Sequence, residues 1–180
     1  MKKKILVACL CVALAVLTIA GTTLAYLTAT TGPVKNTFTV GNIDITLTET
    51  TTNFKMVPGC TIVKDPKVTV KAGSEACWLF VKVEKSSNLD SFISYTIADG
   101  WTALTDVDGV YYREVDATTT DTSFNVLVNN QVAVKDTVTK PMMDAITNGT
   151  ATSPTLTFTA YAIQKAGFTT VADAWAEVSK

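Results

Sequence analysis

Cys77-Trp78-Leu79-Phe80-Val81-Lys82-Val83-Glu84 decides the fold. Cys77, Leu79, Val81 and Val83 are all apolar, while Trp78 and Phe80 alternate with them before giving way to Lys82 and Glu84. A period of two residues is a strand, and an unbroken apolar face means that this strand runs through the core. The same alternation continues outward in both directions. Upstream, Ile43, Ile45 and Leu47 alternate with Asp44, Thr46 and Thr48, and Phe38 and Val40 precede a break at Gly41-Asn42, as in one kinked strand or a strand pair. Thr48 to Asn53 reads as a polar loop, Val57-Pro58-Gly59 as a turn before Thr61 to Lys64, and Asp65-Pro66 as an extended, non-central position. Val68 to Lys71 and Ala76 to Glu84 flank Ala72-Gly73-Ser74-Glu75, a hairpin pattern that would set Cys77 opposite about Thr69.

Downstream, Ile93, Tyr95 and Ile97 alternate, Asp99-Gly100 turns, and Trp101 and Leu104 follow. Asp108-Gly109 turns again before Val110 to Val115. Phe124, Val126 and Val128 lead through Asn129-Asn130 to Val132 and Val134, another hairpin signature. Leu156, Phe158, Ala160 and Ala162 mark a long final strand. Pro141 to Asn148, stopped by Gly149, reads as a short helix. Phe168, Val171, Ala174, Trp175 and Val178 recur at helical spacing behind a cap at Thr169 or Thr170, so the last dozen residues read as a helix covering the sheet. Many short strands without βαβ alternation predict an all-β fold, an antiparallel β-sandwich of the immunoglobulin or jelly-roll kind with one or two short helices.

Composition agrees. The chain has 180 residues, and its 32 threonines and 21 valines, stiff β-branched types, exceed a quarter of them. Histidine is absent, which removes the usual general base and the commonest zinc ligand. Fifteen Lys+Arg stand against 16 Asp+Glu, with no basic cluster after Lys4, so no nucleic-acid partner is expected. Lys2-Lys3-Lys4, the uncharged run Ile5 to Ala20 and Gly21-Thr22-Thr23-Leu24-Ala25 have the three regions of a secretory signal peptide over residues 1–25, cut between Ala25 and Tyr26. The 16-residue apolar run is shorter than the roughly 18 to 20 residues of a membrane span. A secreted chain carrying 12 basic and 16 acidic side chains would result.

Cys60 and Cys77 would be its only thiols, in a compartment where one bridge between them could persist. The hairpin register separates them, whereas a change of sheet at Asp65-Pro66 would allow them to meet, and sequence leaves both open. Asp106-Val107-Asp108-Gly109 lacks the later ligands of a calcium loop and reads as a turn. Glu114 and Asp116 read as a solvated strand end, and Asn148-Gly149-Thr150 as a surface sequon. No serine has an activating base, so no catalytic residue, cofactor or metal is expected and the chain is not read as an enzyme.

What stands out is mechanical. Tyr26-Leu27-Thr28-Ala29-Thr30-Thr31-Gly32-Pro33-Val34 is β-prone and precedes the first convincing core strand. Released by cleavage, such a segment can add to a free sheet edge of another copy, and repetition head to tail makes a filament. The alternative is a monomeric adhesin or carbohydrate-binding sandwich that uses Trp78, Trp101, Tyr111 and Tyr112.

Gly21-Thr22-Thr23-Leu24-Ala25-Tyr26-Leu27, then Asn36-Thr37-Phe38-Thr39-Val40-Gly41-Asn42-Ile43-Asp44-Ile45, then Val57-Pro58-Gly59 with Lys64-Asp65 and the following strands, resemble the TasA/camelysin group of secreted Gram-positive proteins. The resemblance covers residues 18 to 85 and the final strand. It implies a jelly-roll domain over residues 36–180, export with a SipW-type signal peptidase, and a place in extracellular matrix or biofilm fibres, with other matrix proteins as further partners. It also implies donation of an N-terminal strand (residues 26–35, including Tyr26, Leu27, Thr28 and Val34) to the next subunit. Metallopeptidase activity, a label given to some members, does not transfer to a chain without histidine. Tyr26-Leu27-Thr28, where the group often has an aromatic pair and an acid, and Cys60 depart from its pattern.

Overall fold

Cys77 to Glu84 lies within strand β4, Cys77–Lys85, with Cys77, Leu79 and Val81 fully buried, as its alternation requires. The computed structural model describes residues 41–180, so the signal segment, the Ala25–Tyr26 cleavage site, the donor segment with Tyr26, Leu27, Thr28 and Val34, and Phe38 and Val40 lie outside the described residues. Around β4 are β1 (Ile45–Thr48), β2 (Thr61–Val63), β3 (Lys67–Val70), α1 (Leu89–Phe92), β5 (Ile93–Ser94) and β6 (Thr102–Ala103). Then come β7 (Val110–Val115), β8 (Thr122–Asn125), a 3-10 turn at Val128–Asn130, β9 (Gln131–Val134), α2 (Lys140–Thr147), β10 (Leu156–Gln164) and α3 (Val171–Val178).

Among the described residues the class is all-β, with only short helices, and every strand pair is antiparallel. The described strands form three sheets, in the orders β1-β3-β8, β10-β4-β7-β6 and β2-β9-β5. Val68 and Val70 from the first sheet and Cys77, Leu79, Val81 and Val83 from the second share one apolar core. The other face of β4 is covered as expected by α3, whose Trp175 ring lies 5.3 Å from Phe80 and 5.3 Å from Tyr161. Thr170 caps α3 by accepting from the Asp173 amide. Leu89, Phe92, Val132 and Val134 form a separate core under the third sheet, flanked by Met142, Met143 and Ile146 of α2.

Two expected hairpins are not formed. β3 pairs with β1 and β8, whereas β4 pairs with β10 and β7, so Ala72 to Glu75 carries the chain from one sheet to another. The crossing is held from outside: Asp121 accepts from the Ala72 amide at 3.0 Å and from Lys71 Nζ at 2.9 Å. Likewise β8 pairs with β3 and β9 with β2 and β5, and Asn129 and Asn130 both take φ 53°, turning the strand away instead of folding it back. Turn composition marks where the chain bends, but not which sheet it enters next.

The Asp108-Gly109 turn does join β6 to β7 as a hairpin. Gly109 has φ 73°, and a Cβ there would stand 2.5 Å from the Val83 carbonyl oxygen on β4. Gly109→Ala is therefore expected to destabilise the protein by at least about 2 kcal/mol. Urea unfolding checks this, and an unchanged midpoint contradicts it.

Candidate functional site

Where β1 ends and β10 begins, the surface opens into a groove of about 830 Å³. Leu47, Phe54, Met56, Ile62, Leu156 and Phe158 supply much of its apolar lining. Its position follows from strand pairing. Among the described residues β1, β2 and β10 are all edge strands, and no ladder joins β10 to either of the others. Ser86 donates to the Thr155 carbonyl and the Lys165 amide to the Ala76 carbonyl. Antiparallel pairing alternates, so these two bonds turn Thr155, Thr157 and every second residue towards β4. The amides and carbonyls of Leu156 and Phe158 therefore face the side of β10 on which no described strand pairs. The same two residues are half-buried and line the groove. An extended segment lying there would find backbone partners and an apolar surface together.

One ion pair lies in this apolar setting. Lys64 Nζ is 2.5 Å from Glu49 Oε1, with the two side chains only 9% and 17% exposed. Lys64 also lies 5.0 Å from the centre of the Phe54 ring and 5.4 Å from that of Phe158. Beside it, Asp65 accepts from the Thr50 amide at 2.9 Å and from the Thr50 hydroxyl. The Thr50 hydroxyl, then its amide, hold the Asp65 carboxyl below its ordinary value of 3.8, with Lys67 adding a smaller pull in the same direction. A depressed carboxyl stabilises its contact above the ordinary value and loses it as pH falls through the lowered one. The Thr50–Asp65 contact is thus expected to persist unchanged at pH 5 and above and to loosen below about pH 3.8. The amide shift of Thr50 followed against pH checks this, and loosening already near pH 5 contradicts it.

The sequence pointed to other residues as well. Cys60 and Cys77 are both free, and the disulfide left open by the sequence is not formed. Cys77 is fully buried opposite Val115 and Gln164, whereas Cys60 is exposed next to β2 in another sheet, and burial pushes the Cys77 thiol up. The four aromatics of the carbohydrate-binding alternative do not make a platform. Trp101 is buried in the core between the first two sheets and donates to the Asn125 carbonyl at 2.9 Å, while Trp78 and Tyr112 pack edge to face on the side covered by α3. Tyr111 is half-buried against the same core as Trp101. Glu114 is an exposed partner of Lys165, and Asn148-Gly149-Thr150 is exposed at the end of α2. Among the described residues, no group of three acidic or cysteine side chains is placed to hold a metal.

The groove itself was not legible in the sequence, because its lining comes from segments more than a hundred residues apart, from Leu47 to Phe158. The one local signal was the alternation of Leu156 and Phe158 with Thr155 and Thr157 after Pro154. No family model matches the chain, and neither a curated protein nor a solved structure matches it.

Proposed function

We propose that this chain is a secreted structural subunit that polymerises head to tail, the groove beside β10 receiving residues 26–34 of another copy. Cleavage after Ala25 by a SipW-type peptidase would free that segment, and a jelly-roll body would present it, as the resemblance to the TasA/camelysin group implies. The polymer would belong to an extracellular matrix or the cell surface.

The observation that carries this reading is the opposite placement of exit and groove. Gly41, where the described chain begins, lies beside Glu75, and the Asn42 carbonyl accepts from the Glu75 amide at 2.9 Å. That is the pole where Cys77 faces Gln164, whereas the groove is at the other pole, where Leu156 faces Lys85. The nine residues of β4 separate the poles by about 30 Å. A subunit whose chain leaves at one pole and whose open edge lies at the other can repeat one contact indefinitely.

The energies are of the right order. Nine extended residues reach about 30 Å, and burying Tyr26, Leu27 and Val34 contributes roughly 1.5 to 3 kcal/mol each against the cost of ordering the segment. The side chains of the segment carry no charge that would need a partner, and its one charge, the α-amino group that cleavage creates on Tyr26, is at the segment's very end. Negative-stain microscopy of the processed protein beside a form lacking residues 26–34 tests the proposal. Filaments from the first alone are expected, and identical filaments from both would reject it.

A further inference from the structure

We propose that the loop from Glu49 to Gly59 is a strap that narrows the groove of an unassembled subunit by laying its own Phe54 and Met56 along one wall, and that an incoming segment must push it aside. The identity of that incoming segment rests on the donor-strand reading above; the strap itself does not.

The loop is built to cover and to leave. Phe54 and Met56 are half-buried and line the groove, while Lys55 between them and Thr51, Thr52 and Asn53 before them are exposed. Two apolar side chains pointing inward on either side of an exposed one is the pattern of an extended segment lying on an apolar surface. Among the described residues, no hydrogen bond ties Thr51 to Met56 to the body. The loop is held at one end by the Thr50–Asp65 contact and the Glu49–Lys64 pair, and at the other by the Gly59 amide donating to the Val134 carbonyl at 3.1 Å. Lifting the middle breaks no strand ladder; it exposes two side chains and gives up the Lys64 contact with the Phe54 ring. Both anchors stay in place, so the strap returns when the groove empties. An occupant that pairs with the backbone of Leu156 and Phe158 gains hydrogen bonds that the strap does not make, so it can win the exchange.

The test uses the processed protein with 8-anilinonaphthalene-1-sulfonate, a dye that lights up on apolar surface, together with the rate of filament growth. Asp65→Ala removes one of the two contacts at the first end, and Phe54→Ala with Met56→Ala removes the two covering side chains, together with the Phe54–Lys64 contact, while leaving the hydrogen bonds and the ion pair at both ends. Each is expected to raise dye fluorescence several-fold and to speed growth about tenfold, with an unfolding midpoint and circular dichroism spectrum showing that the body is intact. Unchanged fluorescence in a folded variant overturns the strap. Raised fluorescence with slower growth also overturns it, because the loop would then belong to the acceptor surface. Raised fluorescence where no form grows filaments upholds the strap and rejects the donor-strand reading.

Discussion

Phe80→Ala is expected to lower stability by about 3 to 5 kcal/mol, the ordinary cost of deleting a fully buried phenylalanine ring. Phe80 is on the face of β4 that points away from the inter-sheet core, and its side chain is entirely inaccessible. Its ring sits between Trp175 of α3, 5.3 Å away, and Tyr112 of β7, 6.4 Å away, so alanine would leave a cavity that two large rings from different elements cannot jointly close. Loss of the contact also loosens the helix that covers this face of the sheet. The expected readout is a lowered urea midpoint with an unchanged slope. A cost below about 1 kcal/mol would mean that α3 is not fixed on β4 as described.

Ile62→Asp is expected to suppress filament growth by about 100-fold or more while the neighbouring Val63→Asp leaves it within about twofold. Ile62 is half-buried and lines the groove, whereas Val63, one residue along β2, is 66% exposed and points the other way. A carboxylate at Ile62 would have to be stripped of water whenever a donor entered, and the donor would lose an apolar neighbour worth roughly 1.5 to 3 kcal/mol. Adjacent positions on one strand carry the same change in net charge, so any difference between the variants reports the face and not the charge. Equal suppression by both would point to a general repulsion between subunits and away from this groove.

How far the sequence reaches is clearest at individual residues. The strict alternation around Cys77 placed β4 in the core, and the helical spacing of Val171, Ala174, Trp175 and Val178 placed α3 on a sheet, because both signals depend only on which side of one element faces water. Pairing depends on the rest of the chain. Ala72-Gly73-Ser74-Glu75 and Asn129-Asn130 look like hairpin turns yet carry the chain between sheets, since the partners available to β3 and β8 lie far away in sequence. α1, four residues long, gave no periodic signal to read. The threonine loop after β1 was legible as a loop, but its Phe54 and Met56 give no hint of the groove until Leu156 and Phe158 are set beside them.

The most direct measurement mixes two disabled forms of the processed protein, one lacking residues 26–34 with the groove intact, the other keeping those residues but carrying Ile62→Asp. Each alone is expected to stay monomeric in analytical ultracentrifugation, and the mixture is expected to form a one-to-one pair that grows no further, because only one donor and one groove remain to meet. A mixture that stays monomeric, or filaments from either form alone, would contradict head-to-tail strand donation.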